Sequence, residues 1–169
     1  MAKRLSFITI TVVLFLGLSF GMVNLYSAGQ TIKFHAQHIN VATRFDTAEV
    51  GDEPGHTVAL FRAKGIGVRR AGPPEAPYKI ELWGTADYRK DGTGTEHGYG
   101  KFTFSDGSSY YEECNSKVGG GHDIGTAVYF GGTGRFAGIE GGSKFDGVLM
   151  GDRFIYEVDG TMELPWGMV

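Results

Sequence analysis

From Ile32 onward the chain alternates apolar and polar side chains with a period of two. Ile32, Phe34, Ala36 and His38 fall on one side of the pattern, with Lys33, His35 and Gln37 on the other. Tyr78, Ile80, Leu82, Gly84, Ala86 and Tyr88 alternate with Lys79, Glu81, Trp83, Thr85 and Asp87. The same holds for Phe102 and Phe104, for Thr126, Val128 and Phe130, and for Phe154, Tyr156 and Val158. Such alternation marks strands with one buried face. Asp91-Gly92, Asp106-Gly107 and Asp159-Gly160 interrupt it. Asp-Gly between alternating runs signals a hairpin, because the turn needs positive φ. No segment after Gln30 sustains an apolar pattern at helical spacing; a brief helix would fit at Phe45–Val50 alone.

The runs amount to about eight to ten strands, at the spacing of roughly 8–12 residues usual in sandwiches and barrels. Closure into a barrel removes the exposed edges of so many strands. The chain's 28 glycines among 169 residues bear on this. Without a G-X-Y period they exclude collagen, and 13% aromatic residues exclude a disordered linker. Gly65, Gly67, Gly84, Gly98, Gly100, Gly138, Gly141, Gly142 and Gly147 lie within strand patterns and suit bends at barrel corners. Ala71–Pro77, with three prolines, reads as a loop. The expected fold is all-β, a single antiparallel barrel of about eight strands over residues 30–169, preceded by a hydrophobic signal helix within residues 1–29.

That N-terminal segment opens with Lys3-Arg4 and continues as an uncharged run, Leu5–Leu25. A basic start followed by an apolar run describes an export signal, and Ser27-Ala28-Gly29 offers small residues for cleavage after Gly29. The alternative is a retained membrane anchor at residues 5–25; either way the remainder is expected outside the cytoplasm, periplasmic or secreted. Losing Lys3 and Arg4 takes the net charge from −3 to −5. With no basic cluster denser than Arg69-Arg70, nucleic-acid binding is not expected. The single cysteine, Cys114, forms no internal disulfide, so the core alone must hold the domain.

Gly132, Gly134 and Ala137 match the spacing of a dinucleotide fingerprint, but Gly138, Gly141 and Gly142 follow where that fingerprint needs a helix. No cofactor is therefore expected. The segment instead carries a family resemblance. Gly131-Gly132-Thr133-Gly134-Arg135-Phe136, with Gly138 and Gly141 after it, resembles the late hairpin of the allene oxide cyclase and dirigent β-barrel superfamily, and more closely its exported bacterial relatives. Gly55-His56-Thr57 ahead of Gly65-Ile66-Gly67, and the hairpin Phe102–Ser108, resemble the same relatives. The resemblance implies an eight-stranded antiparallel barrel with an apolar lumen, often assembled as a trimer. It carries over no reaction, because the acidic and amide residues of the plant enzymes do not align residue by residue.

Five histidines raise the question of a metal. His35 and His38 lie on opposite faces of a strand, and no H-x-H or H-E-x-x-H spacing occurs, so no metal site is expected. Asp87, Asp91 and Glu96 flank a hairpin turn and read as solvated acids, and His122-Asp123 reads as part of a glycine loop. Tyr110, Glu112 and Cys114 share one strand face, and Tyr111 and Glu113 the other. If the first face points inward, Glu112 is a carboxylate in an apolar cavity, raised by desolvation and suited to act as an acid. In the opposite register Glu112 meets solvent; even inside, it could pair with Arg62 or Arg135. The candidate catalytic residues are Glu112 and His38, and the candidate ligand contacts Tyr110, Cys114, Phe34, Leu82 and Phe104. Three readings follow: a barrel binding a small apolar molecule in its lumen, a cofactor-independent cyclase or isomerase, or a structural protein with a packed barrel.

Overall fold

The structure, a computed structural model, describes residues 29–165. The apolar run Leu5–Leu25, expected to be a signal or an anchor, lies outside the described residues. Eight strands follow in order: β1 (Gln30–Glu49), β2 (Thr57–Ala71), β3 (Tyr78–Tyr88), β4 (Gly94–Thr103), β5 (Ser109–Gly119), β6 (His122–Thr133), β7 (Glu140–Met150) and β8 (Arg153–Leu164). Each pairs antiparallel with the next, and β8 pairs with β1, so the sheet closes into the expected barrel.

Two of the three Asp-Gly pairs make hairpin turns, joining β3 to β4 and β4 to β5, with Gly92 at φ +78 and Gly107 at φ +83. The third does not. Asp159-Gly160 lies inside β8, where Gly160 pairs with Phe34 on one side and Ser143 on the other. A Cβ on Gly160 would stand 2.3 Å from Cζ of Phe34, so this glycine seats a ring rather than turning the chain. The place left for a short helix, Phe45–Val50, is strand through Glu49.

Ring seating accounts for other strand glycines read as bends. A Cβ on Gly147 would fall 2.2 Å from the ring of Tyr156, and one on Gly67 would fall 2.1 Å from that of Tyr78. These glycines leave room for inward aromatic rings from the neighbouring strand. Gly67→Ala is expected to displace Tyr78 and cost about 1–3 kcal/mol, the usual range for overpacking a core, read as a lowered midpoint of urea unfolding.

The lumen is filled at one end. Phe34, Tyr78, Ile80, Phe102, Phe104, Tyr110, Tyr129 and Met162 are buried there, with Phe102 stacked on Tyr110 at 4.8 Å between centroids. The Gly-Gly-Thr-Gly-Arg-Phe segment closes this base. After β6 a 3-10 turn, Gly134–Phe136, drives Phe136 and then Ile139 into the core. Gly132 makes the turn fit, since a Cβ there would lie 1.7 Å from the carbonyl oxygen of Phe136. The Arg135 guanidinium covers the rings of Phe104 and Phe136 and pairs with Glu75 at 2.7 Å and Asp106 at 3.0 Å.

On β6 the apolar alternation points the other way from the expected one. Val128 is 64% exposed and Phe130 42%, while Ala127 and Tyr129 are buried. The ladder with β5 sets this pleat by placing Tyr129 opposite Glu112. A one-residue slip would exchange every side chain between lumen and solvent.

Candidate functional site

Above the packed base the barrel holds a cavity of about 60 Å³. Of the side chains proposed from sequence, His38, Glu112, Cys114 and Leu82 line it together. Phe34, Phe104 and Tyr110 lie in the packed layer beneath.

The open question of the β5 register is answered by burial. Tyr110 is 2% exposed, so Glu112, two residues on, shares its lumen face. Opposite it stands Gly100, whose missing side chain makes room: a Cβ there would lie 3.0 Å from both Cγ and Oε1 of Glu112. Neither arginine weighed as its partner reaches it. Arg135 is engaged by Glu75 and Asp106, and Arg62 is an exposed residue opposite Trp83 on β3. Burial without a compensating cation pushes the Glu112 carboxyl from 4.5 up to about 8. Glu112 is therefore largely protonated at neutral pH and can donate a hydrogen bond or a proton into the cavity.

His38 shows the converse effect. Burial lowers it from 6.5 to about 4, leaving a neutral imidazole whose Nε2 lies 2.9 Å from the Tyr78 hydroxyl. The ring meets Tyr78 edge-on and tilts against Phe102, so the packed base fixes its orientation.

Two acids read as surface groups belong to the same cavity. Glu96 is not a solvated turn residue: it faces the lumen and accepts a hydrogen bond from the Tyr88 hydroxyl. Burial, reinforced by the nearby Asp123, raises it to about 7. Asp123 is not in a loop but on β6, 2% exposed, where Oδ2 accepts from the Tyr156 hydroxyl at 2.8 Å. Burial raises Asp123 as well. Their strands carried the signal: Glu96 shares its parity with Gly98, Gly100 and Phe102, and Asp123 with Ala127 and Tyr129. For Asp123 the louder Thr126-Val128-Phe130 alternation masked it.

Burial and these carboxylates together push the Cys114 thiol up to about 12, so it is no thiolate nucleophile at neutral pH. Among the described residues no three His, Cys, Asp or Glu side chains converge to hold a metal ion. The site's chemistry is that of a low-dielectric chamber holding a protonated carboxyl, a neutral imidazole and two further acids that burial raises.

Fold and site thus define a closed eight-stranded antiparallel barrel with a packed aromatic base and an acid-lined lumen. No protein-family model and no curated protein matches the sequence. Solved structures share the fold. A protein of unknown function from Clostridium acetobutylicum aligns with TM-score 0.53 and 10% identity, over 78% of this chain and 98% of that one. A conserved protein of unknown function from Rhodopseudomonas palustris aligns with TM-score 0.51 and 8% identity, over 79% and 97%. A pterocarpan synthase dirigent protein aligns at TM-score 0.48 and 16% identity, over 82% and 92%; at that level it says nothing of activity here.

Proposed function

We propose that this is an exported barrel that holds a small molecule in its lumen, with an apolar body and a polar head oriented by Glu112 and His38. Export rests on the Lys3-Arg4 start and the uncharged Leu5–Leu25 run. The observation that carries the ligand reading is the protonated Glu112 carboxyl facing a cavity whose remaining wall includes Leu82, Phe145 and Val158. The same wall carries His38, Asn40, Glu96, Asp123 and Ser143, so the pocket combines apolar contacts with placed polar groups able to orient a ligand. The acids move the expectation away from a wholly apolar ligand, because such a molecule would leave Glu112 without a partner.

Native mass spectrometry of the protein purified from its source tests this. A retained small molecule that is lost or weakened in Glu112→Gln is the expected result. A protein that carries none, and that binds no member of a small-molecule panel, would refute the reading.

A cyclase or isomerase is the second reading, favoured by the same carboxyl being protonated at neutral pH. Glu112 would then act as general acid on a ligand oxygen and take the proton back as the product forms. Glu112→Gln separates the two: an enzyme would keep its ligand but lose turnover by about 10²–10⁴-fold.

A further inference from the structure

The lumen has a second polar pole besides Glu112 and His38. On β4 Gly100 stands opposite Glu112 and Glu96 opposite Ser116, so Glu96 lies two lumen-facing positions further from the packed base. Asp123 reaches the same end from β6, close enough for its charge to act on Glu96. Each acid has one oxygen taken by a tyrosine. The Tyr88 hydroxyl donates to Oε1 of Glu96, and that of Tyr156 to Oδ2 of Asp123 at 2.8 Å. The Tyr156 and Ser116 hydroxyls ease the burial of Asp123, yet its other oxygen, Oδ1, is buried and receives no hydrogen bond. Asn40 lines the cavity in the same condition. It is 1% exposed, Gly65 opposite it gives the amide room, and its Oδ1 has no hydrogen-bond partner.

The charge of this space is one-sided. Glu96, Glu112 and Asp123 line it, and among the described residues no lysine or arginine lines it with them. His38 stays neutral above about 4 and brings no balancing charge. Buried carboxyls and amides are costly unless a group of complementary character meets them. The complementary group here is a donor, because carboxylate and amide oxygens only accept. The donor set does not suit a metal ion, since among the described residues no three His, Cys, Asp or Glu side chains converge. An organic cation fits the walls better. Phe145 meets Tyr156 edge-on at 5.5 Å between centroids, beside Asp123, and aromatic rings attract such cations. Leu82 and Val158 continue the wall as apolar surface.

We propose that this end of the lumen receives the primary ammonium group of an amine on a short apolar stem, its N–H donors taken by Asp123, Glu96 and Asn40. An ammonium offers three N–H groups and no acceptor, which matches a wall of oxygens that accept. Its charge offsets acids that no side chain of the wall neutralises, and favours the ionised form of both Glu96 and Asp123 against their burial. The stem lies against Leu82 and Phe145, toward Glu112. The size agrees. A cavity of about 60 Å³ exceeds the roughly 30 Å³ share of a water molecule and falls short of the roughly 150 Å³ that admits benzene. A small aliphatic amine suits it, and a ring does not. The ammonium rests on the lumen being the ligand site, and it names the class of that ligand.

Ethylammonium chloride titrated into the intact protein, with ethanol and acetate as isosteric controls, tests this through amide chemical shifts. Saturable shifts at the lumen residues Gly98, Cys114 and Tyr156 are expected for ethylammonium, with ethanol about tenfold weaker and acetate without effect. Asp123→Asn keeps an acceptor for Tyr156 and the shape of the site. It should weaken ethylammonium about tenfold and leave ethanol unchanged. Glu96→Gln carries the test if Asp123→Asn does not fold. Ethanol bound as tightly as ethylammonium overturns the ammonium, as does an unchanged affinity in the variants. Displacement of ethylammonium by equimolar calcium chloride also overturns it, since the acids would then form a metal site. Ethanol or acetate held in the lumen while ethylammonium is ignored removes the ammonium and leaves the ligand reading standing. Failure of all three probes overturns the ammonium as well, and the lumen as ligand site falls with it only if the protein also retains nothing from its source.

Discussion

Glu112→Gln should flatten the alkaline side of the protein's stability profile. The folded chain keeps the Glu112 proton up to about 8, whereas the unfolded chain releases it near 4.5. Between those values the folded state binds more protons, so stability falls as pH rises, by up to roughly 5 kcal/mol across the interval. Glutamine holds the shape of the protonated acid and does not titrate, so this loss disappears. His38 works in the opposite direction: it titrates at about 4 when folded against 6.5 unfolded, and its contribution is lost as pH falls through about 4. Glu96, raised from 4.5 to about 7, adds to the Glu112 slope, and His38 offsets only one of the two, so the parent should be most stable near 4.5 and decline above it. The variant should keep the acid limb owed to His38, stay nearly level up to 6.5 where His38 and Glu96 offset each other, and fall only over the short interval to about 7 where Glu96 loses its proton. Urea midpoints measured across this range decide it. A variant that declines above 6.5 as steeply as the parent would show that Glu112 does not carry the effect.

Phe102→Ala should be the most damaging single truncation in the base of the barrel. Phe102 is 1% exposed, stacks on Tyr110, tilts against Tyr78, and lies against His38. Removing such a ring costs about 3–5 kcal/mol, because the lost burial is compounded by the void left behind. That void would open beneath the lumen cavity, next to His38. The enlarged space should admit a benzene-sized molecule, as dry cavities of roughly 150 Å³ do. Benzene is expected to raise the melting temperature of Phe102→Ala and leave the parent unmoved. A variant that loses little stability and ignores benzene would mean that the rings close over the gap, and that the base is softer than its stacking implies.

These expectations separate what was local from what was not. The class of fold, the turns at Asp91-Gly92 and Asp106-Gly107, the loop after Ala71 and the opposite faces of His35 and His38 could be read directly. Each depends on period-two geometry or on the positive φ of a single glycine. Asp159-Gly160 looked like a third turn because the dipeptide is identical; only the ring of Phe34, far away in sequence, explains the glycine. The glycines that seat Tyr78 and Tyr156 have the same character, since each is small for the sake of a residue on another strand.

The site was legible in part. Glu112 and His38 were found because each shares a face with apolar neighbours, yet the face of β5 that turns inward could not be chosen from its own residues. Tyr110 and Tyr111 are equally fit to be buried, and the choice falls to pairing with β4 and β6. Glu96 and Asp123 looked like surface acids because an isolated carboxylate is read by its own polarity. Inside a closed barrel, position on the pleat overrides polarity, and burial raises both acids instead of excluding them. Period-two alternation broken by frequent turns is enough to commit the chain to a sheet. The tertiary structure alone decided which side of that sheet is the lumen, because closing β8 onto β1 sets every register at once and a slip of one residue would turn the acids outward.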